Sequence, residues 1–199
     1  MAEIRIEELI LSEDELNPQG VFAIGLVDFP AHEENFIFMK KAEKNISLFK
    51  LASDEKHLVV GPSIIPDKKI LQYDEGGNPF YVYFSKETTE KLSQNFLKNY
   101  GNKSFTFQHN EYVEGATLVE NWIIEDPKND KANALGFDLP AGTWMMSIKI
   151  DNLELWDKVK NSTVKGLSIE AYMASQIIEN SKPKEDRILK EINDILKNK

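Results

Sequence analysis

A chain of 199 residues, 41% hydrophobic and 29% charged, has the composition of an ordinary globular domain and is long enough to bury a core without staples. It has no cysteine, which excludes disulfides, thiol nucleophiles and cysteine-ligated metals and fits a reducing compartment. A net charge of −9 with no concentrated basic face argues against nucleic acid as a partner, and the acidic opening MAEIRIEELIL, with no long apolar run behind it, argues against a signal peptide or a membrane span.

The first half of the chain reads as short strands. Ile4, Ile6 and residues 9–11 open it, and after the Asn17-Pro18-Gln19-Gly20 turn comes VFAIGLVDF, rich in strand formers and ended by Pro30. Residues 35–39 predict another strand, and Ile46, Leu48 and Leu51 a further extended piece. Residues 58–65 and 80–84 follow, the latter entered from the Gly76-Gly77-Asn78-Pro79 turn. At Ser85 the period changes. Leu92, Phe96 and Tyr100 recur at helical spacing behind a good N-cap, predicting a helix over Lys86–Tyr100 that Gly101 stops. Phe105 and Phe107 alternate in a strand that delivers His109 at its end, and residues 116–124 are again strand-like, followed by the acidic loop 125–131. A strand over 143–150 and a short helix marked by Leu153, Trp156 and Val159 come next. In the strand predicted over 164–173, Leu167, Ile169, Ala171 and Met173 point one way and Ser168, Glu170 and Tyr172 the other. Beyond Ile178 the chain turns polar. Ser181-Lys182-Pro183 reads as a linker before an amphipathic helix with Ile188, Leu189, Ile192, Ile195 and Leu196 on one face. The expected organisation is a domain over 1–178 and a linker with a C-terminal helix over 179–199. Many short strands with two or three helices predict an α+β, mainly β fold: a barrel or sandwich with helices on its flanks.

Few residues carry recognisable chemistry. His32, His57 and His109 show no metal-ligand spacing, so no metal is expected, and no glycine-rich phosphate loop is present, so no cofactor is implied. The GxSxG elbow is also absent, since Gly166 is followed by Leu167-Ser168-Ile169-Glu170. Glu125 and Asp130 allow a glycosidase or calcium reading, but a Pro-bearing solvated loop accounts for them more simply. His109 and Ser168 have a mechanism behind them: a serine hydroxyl needs a base, and imidazole titrates near neutrality. Residue type alone leaves two readings open, because strand serines and strand-end histidines are commonly structural.

The segments VVGPSIIPDKKI, FYVYFSKET, FQHN, EGATLVENWIIEDPKNDKANALGF, PAGTWMMSIKI, LWDKVK and VKGLSIEAY occur in order between residues 20 and 174. This ordered set resembles the XkdF-like phage serine proteases, a branch of the prohead maturation proteases. The resemblance implies a herpesvirus-assembly-protease-like β-barrel with flanking helices, Ser168 as nucleophile and His109 as general base. It also implies scaffold and major capsid protein as substrates, action inside the procapsid in the host bacterial cytoplasm, and a homodimer as a further expectation. In the better-known branch the third catalytic residue is a glutamate in an EVSLVTFPAN-like strand after the serine. The similar segment here, AIGLVDFPAH, lies near the N-terminus, so the chain looks circularly permuted, and the aligned residue is Ala23. Glu170, two along from Ser168, is therefore the expected orienting acid, with Asp28 and His32 as competitors. The herpesvirus enzymes place an arginine near the oxyanion, whereas Arg5 and Arg187 here lie close to the termini. Backbone N–H groups or Lys165 are expected to serve instead. A rival expectation is a non-catalytic capsid-assembly or scaffold-like module on the same fold.

Overall fold

The computed structural model describes residues 5–11, 19–31, 37–39 and 56–178. The extended piece over 46–51, His32 and the C-terminal helix lie outside the described residues. The described residues form three four-stranded sheets. The first joins β1 (Ile6–Ile10) to β12 (Ala174–Ile178) antiparallel and to β6 (Pro79–Phe84) parallel, with β5 (Ile70–Tyr73) antiparallel on the outside of β6. The second runs β3 (Ile37–Met39), β4 (Leu58–Ile64), β10 (Trp144–Ile150), β9 (Ala116–Ile123), antiparallel throughout. The third runs β11 (Gly166–Tyr172), β2 (Gly20–Val27), β7 (Phe105–Phe107), β8 (Glu111–Tyr112), with β2 and β7 parallel.

The helices seal this arrangement. In α1 (Lys86–Tyr100), Ser85 Oγ accepts from the Thr88 N–H as the sequence predicts, and Leu92 and Phe96 turn inward. Phe96 meets Trp144 of β10 edge-on at 5.9 Å, an aromatic contact worth about 0.5–1.5 kcal/mol beyond the area it buries. In α3 (Leu153–Lys160), the Asn152 side chain caps the Leu155 N–H at 3.0 Å, and Leu155, Trp156 and Val159 are buried. The short α2 (Lys131–Ala134) is capped by Asp130. One large core gathers Ile24, Leu26, Phe105, Trp144, Trp156 and Leu167 among others, so each sheet contributes one face to it. No helix among the described residues is long and apolar enough to cross a membrane.

The mainly β, α+β character is as expected, but the closed barrel is not. Among the described residues the three sheets stay open, and β11 packs beside β4 with no ladder joining them. Pro62 within β4 has no N–H to offer such a ladder, and a bulge between Trp144 and Met145 shifts the pairing of β4 with β10 nearby.

Candidate active site

The third sheet has a core face and a working face. Ile24, Leu26, Phe105 and Leu167 point into the core. On the other face the register sets Ser168 of β11 beside Gly25 of β2, and Gly25 beside Thr106 of β7. One step along, Glu170 pairs with Ala23. Three strands from distant parts of the chain thus present a hydroxyl, a bare backbone and a second hydroxyl in one row.

His109 reaches this row through an unusual turn. Gln108 and His109 both hold left-handed backbone, at φ 51° and 58°. That conformation costs roughly 1–2 kcal/mol per non-glycine residue, and the surroundings hold it in place. The Gln108 N–H donates to the Leu26 carbonyl at 3.1 Å, the Asn110 N–H to the Phe107 carbonyl at 3.0 Å, and Gln108 Oε1 accepts from the Asp28 N–H at 3.4 Å. The chain therefore curls back, and the imidazole lies directly on Gly25. A Cβ at position 25 would stand 2.6 Å from His109 Cε1 and 2.8 Å from Nδ1, so glycine makes the close approach possible.

His109 Nδ1 lies 3.0 Å from Glu170 Oε1, with the histidine side chain 39% exposed and the glutamate 17%. A carboxylate accepts and does not donate, so Nδ1 carries the proton and Nε2 is left as the acceptor of the neutral ring. The same carboxylate oxygen also accepts from Thr106 Oγ1. Thr106, the third member of the row, is buried, and its hydroxyl anchors the glutamate. Ser168 is 8% exposed and lines a groove of about 540 Å³ whose walls include Ser63, Ile70, Val82, Ala171 and Met173. No hydrogen bond joins Ser168 to His109 among the described residues. Such contacts commonly tighten only with substrate in place.

The other sequence candidates separate by geometry. Asp28 lends its N–H to Gln108, and none of its hydrogen bonds or ion pairs among the described residues reaches His109. Lys165 commits its backbone N–H to the Val27 carbonyl at 2.8 Å, and its Nζ lies over the Phe29 ring at 5.6 Å. His57 stacks on Trp156 at 4.7 Å, with Nδ1 3.1 Å from the Ile150 carbonyl oxygen, a structural role. In the acidic loop, Asp126 organises its own turn through Lys128 and Asn129, while Asp130 caps α2 and accepts from Trp122. Hydrogen bonds from Asn129 and Lys128 hold the Asp126 carboxyl below its usual range. No three His, Asp or Glu side chains gather as metal ligands among the described residues. Sequence reasoning passed over Gly25, Thr106 and Gln108. A glycine inside the strand-forming run VFAIGLV was the available signal, since it marks close approach of another group.

A serine, an imidazole and a hydrogen-bonded carboxylate on one sheet face are the equipment of a serine hydrolase. The family described as "Putative phage serine protease XkdF" matches residues 45–178, and the chain belongs to that family. His109, Ser168 and Glu170 fall inside the matched range, while β2 with Gly25 precedes it. No curated protein and no solved structure gives a match.

Proposed function

We propose that this chain is a phage procapsid-maturation serine endoprotease in which Ser168 attacks, His109 moves the proton and Glu170 orients the imidazole. One observation carries the reading: the His109 ring lies on Gly25, the cross-strand neighbour of Ser168, with Nδ1 held by Glu170 at 3.0 Å. Nε2 is then the free base. As Ser168 Oγ adds to the scissile carbonyl, Nε2 takes its proton, and Glu170 stabilises the imidazolium that forms. His109 returns the proton to the leaving amine, and water hydrolyses the acyl-enzyme by the same steps in reverse order. Arg5 is engaged by Glu7 at 2.7 Å and lies over the Phe80 ring, and backbone N–H groups beside β11 are the expected oxyanion donors. The substrates are scaffold and major capsid protein, cut inside the procapsid. Of the expected herpesvirus-assembly-protease-like architecture, the mainly β, helix-flanked character supports this reading and the open sheets do not.

The test is covalent labelling. A fluorophosphonate should label the protein, and Ser168→Ala and His109→Ala should each remove the label while keeping the melting temperature. Loss of either residue should cost several orders of magnitude in turnover, on the order of 10⁴-fold or more. Co-expression with the neighbouring capsid and scaffold genes, with mass spectrometry of the new termini, identifies the substrates. A folded protein that takes no label would instead be a non-catalytic assembly module.

A further inference from the structure

The pairing of β11 with β2 breaks its register between Glu170 and Ala171. Glu170 faces Ala23 and Ala171 faces Val21, so Phe22 is an extra residue on β2, a bulge beside the orienting acid. The bulge reverses the alternation of the strand. Ile24 lies in the core and Ala23 alternates with it onto the working face, yet Val21 is in the core again. The Phe22 ring instead stacks on Tyr172, with centroids 4.9 Å apart and planes 25° apart. Tyr172 shares its strand face with Ser168 and Glu170, so the bulge has turned a phenylalanine out of the core and onto the working face. Ser104, immediately before β7, grips this stretch twice. The Ile24 N–H donates to the Ser104 carbonyl at 3.0 Å, and the Ser104 hydroxyl donates to the Phe22 carbonyl at 2.5 Å.

Glu170 has a long reach to make. Neighbouring strands lie about 4.8 Å apart and β2 stands between β11 and β7, so Thr106 is about 10 Å across the sheet from the Glu170 backbone. Side chains on a sheet stand roughly perpendicular to it, and an upright glutamate would not span that distance. One that leans across the small Ala23 meets both Thr106 Oγ1 and His109 Nδ1. We propose that the Phe22 bulge, pinned by Ser104 and packed on Tyr172, tilts Glu170 across β2, which makes Ser104 a positioning residue for the reaction. The inference rests on the protease reading of His109 and Glu170 and adds the device that aims the acid. A bulge bends its strand and increases the local twist, and so turns the side chain at its edge. The Phe22–Tyr172 stack fills the face beyond Ala23 and closes the rotamers by which the glutamate would swing along the strand.

The experiment is a double-mutant cycle on the full chain, read by the second-order rate of fluorophosphonate labelling. Ser104→Ala should lower the rate about tenfold, short of the about 10²-fold cost of a full 1 Å misplacement. Ser104→Thr, which keeps the hydroxyl, should restore it. In the Glu170→Gln background, Ser104→Ala should change the rate by less than about twofold, because no carboxylate is left to aim. Tyr172→Leu removes the stack at a side chain that is 68% exposed and should show the same dependence on Glu170, which covers a Ser104→Ala protein that does not fold. A second measurement needs no turnover. Nitrogen NMR of the His109 ring reports which nitrogen carries the proton: the parent should hold it on Nδ1, and Ser104→Ala and Tyr172→Leu should each show a mixture of tautomers. Equal losses of rate in both backgrounds, or a tautomer that neither variant moves, overturn the inference while leaving the protease reading intact. A parent that takes no fluorophosphonate, with tautomers that shift as expected, overturns the protease reading and retains the positioning device.

Discussion

Gly25→Ala offers the sharpest test of the site, because the substitution adds one carbon where the imidazole already lies. The new Cβ would meet His109 Cε1 at 2.6 Å, Nδ1 at 2.8 Å and Nε2 at 3.3 Å, whereas ordinary contact begins near 3.4 Å. The backbone at position 25 is not among the positive-φ glycines, so alanine fits the strand and the ring must move instead. It is free to do so on its exposed side. A shift approaching 1 Å stretches the 3.0 Å contact with Glu170 beyond hydrogen-bond range and swings Nε2 away from Ser168. Misplacement on that scale costs about 10²-fold, and losing the tautomer-fixing carboxylate raises the cost towards about 10⁴-fold. Stability should hardly change, since replacing glycine inside a strand returns about 0.5–1 kcal/mol of backbone entropy against a modest side-chain displacement. The second-order rate of fluorophosphonate labelling, measured beside the melting temperature, gives both numbers. A Gly25→Ala protein that labels at the parental rate would refute the placement of His109 over β2.

Three further outcomes follow from the same geometry. Glu170→Gln should keep the melting temperature and lose most of the labelling rate, whereas equal activity would leave Asp28 or the undescribed His32 to supply the third residue. Thr106→Val removes the buried hydroxyl that anchors Glu170, so turnover should fall about tenfold and stability by about 1.5–3 kcal/mol, the range for a hydrogen bond to a charged group; denaturant melts and labelling rates check the two together. Away from the site, hydrogen bonds from Lys131 and then Ser147 hold the Glu120 carboxyl below its usual range. A carboxyl so lowered contributes stability above its unfolded pKa and loses it as pH falls through the folded value. The melting-temperature gap between parent and Glu120→Gln should therefore be widest near neutrality and close in acid, and a gap that persists there would show that the contribution is not electrostatic.

The sequence marked those elements whose signals are local. The helix over Lys86–Tyr100 is bounded by Ser85 and Gly101, and the structure ends it at the same residues. The strand ending before His109 and the face alternation around Ser168 were equally visible, because an apolar partner forces a strict period. What the sequence hid depends on distant partners. β5 is a short, mostly exposed strand with no apolar alternation, and pairing with β6 alone makes it a strand. β8 spans two residues beside β7. Barrel closure was likewise illegible, since it depends on which edges meet and not on any one segment's pattern. The candidate site divides the same way. Ser168 and Glu170 share one strand and one face, so their proximity could be read directly. Their relation to His109 runs through β2, which lies between β11 and β7 in space and 80 residues or more from either partner in sequence. No local pattern says that Gly25 is the floor on which the imidazole rests.

The register between β2 and β11 bears on how an orienting acid can change strands. The resemblance assigns the acid to the position occupied by Ala23, and Ala23 is the cross-strand partner of Glu170. Directly opposed residues in an antiparallel pair have Cβ atoms about 4.5–5.5 Å apart on one face, so side chains from either position enter the same space. Ala23 is fully buried and small, which leaves that space to the glutamate across from it. Thr106 on the far side of β2 then supplies a donor to the carboxylate, and His109 supplies the other. A carboxylate transferred across one ladder rung keeps its place beside the imidazole while its backbone address moves by most of the chain length. Permutation of the strand order and relocation of the acid are thereby compatible: the first changes which strand comes early in the sequence, and the second changes which of two facing strands carries the charge. Neither disturbs the row of Ser168, Gly25 and Thr106 on which the proposed chemistry depends.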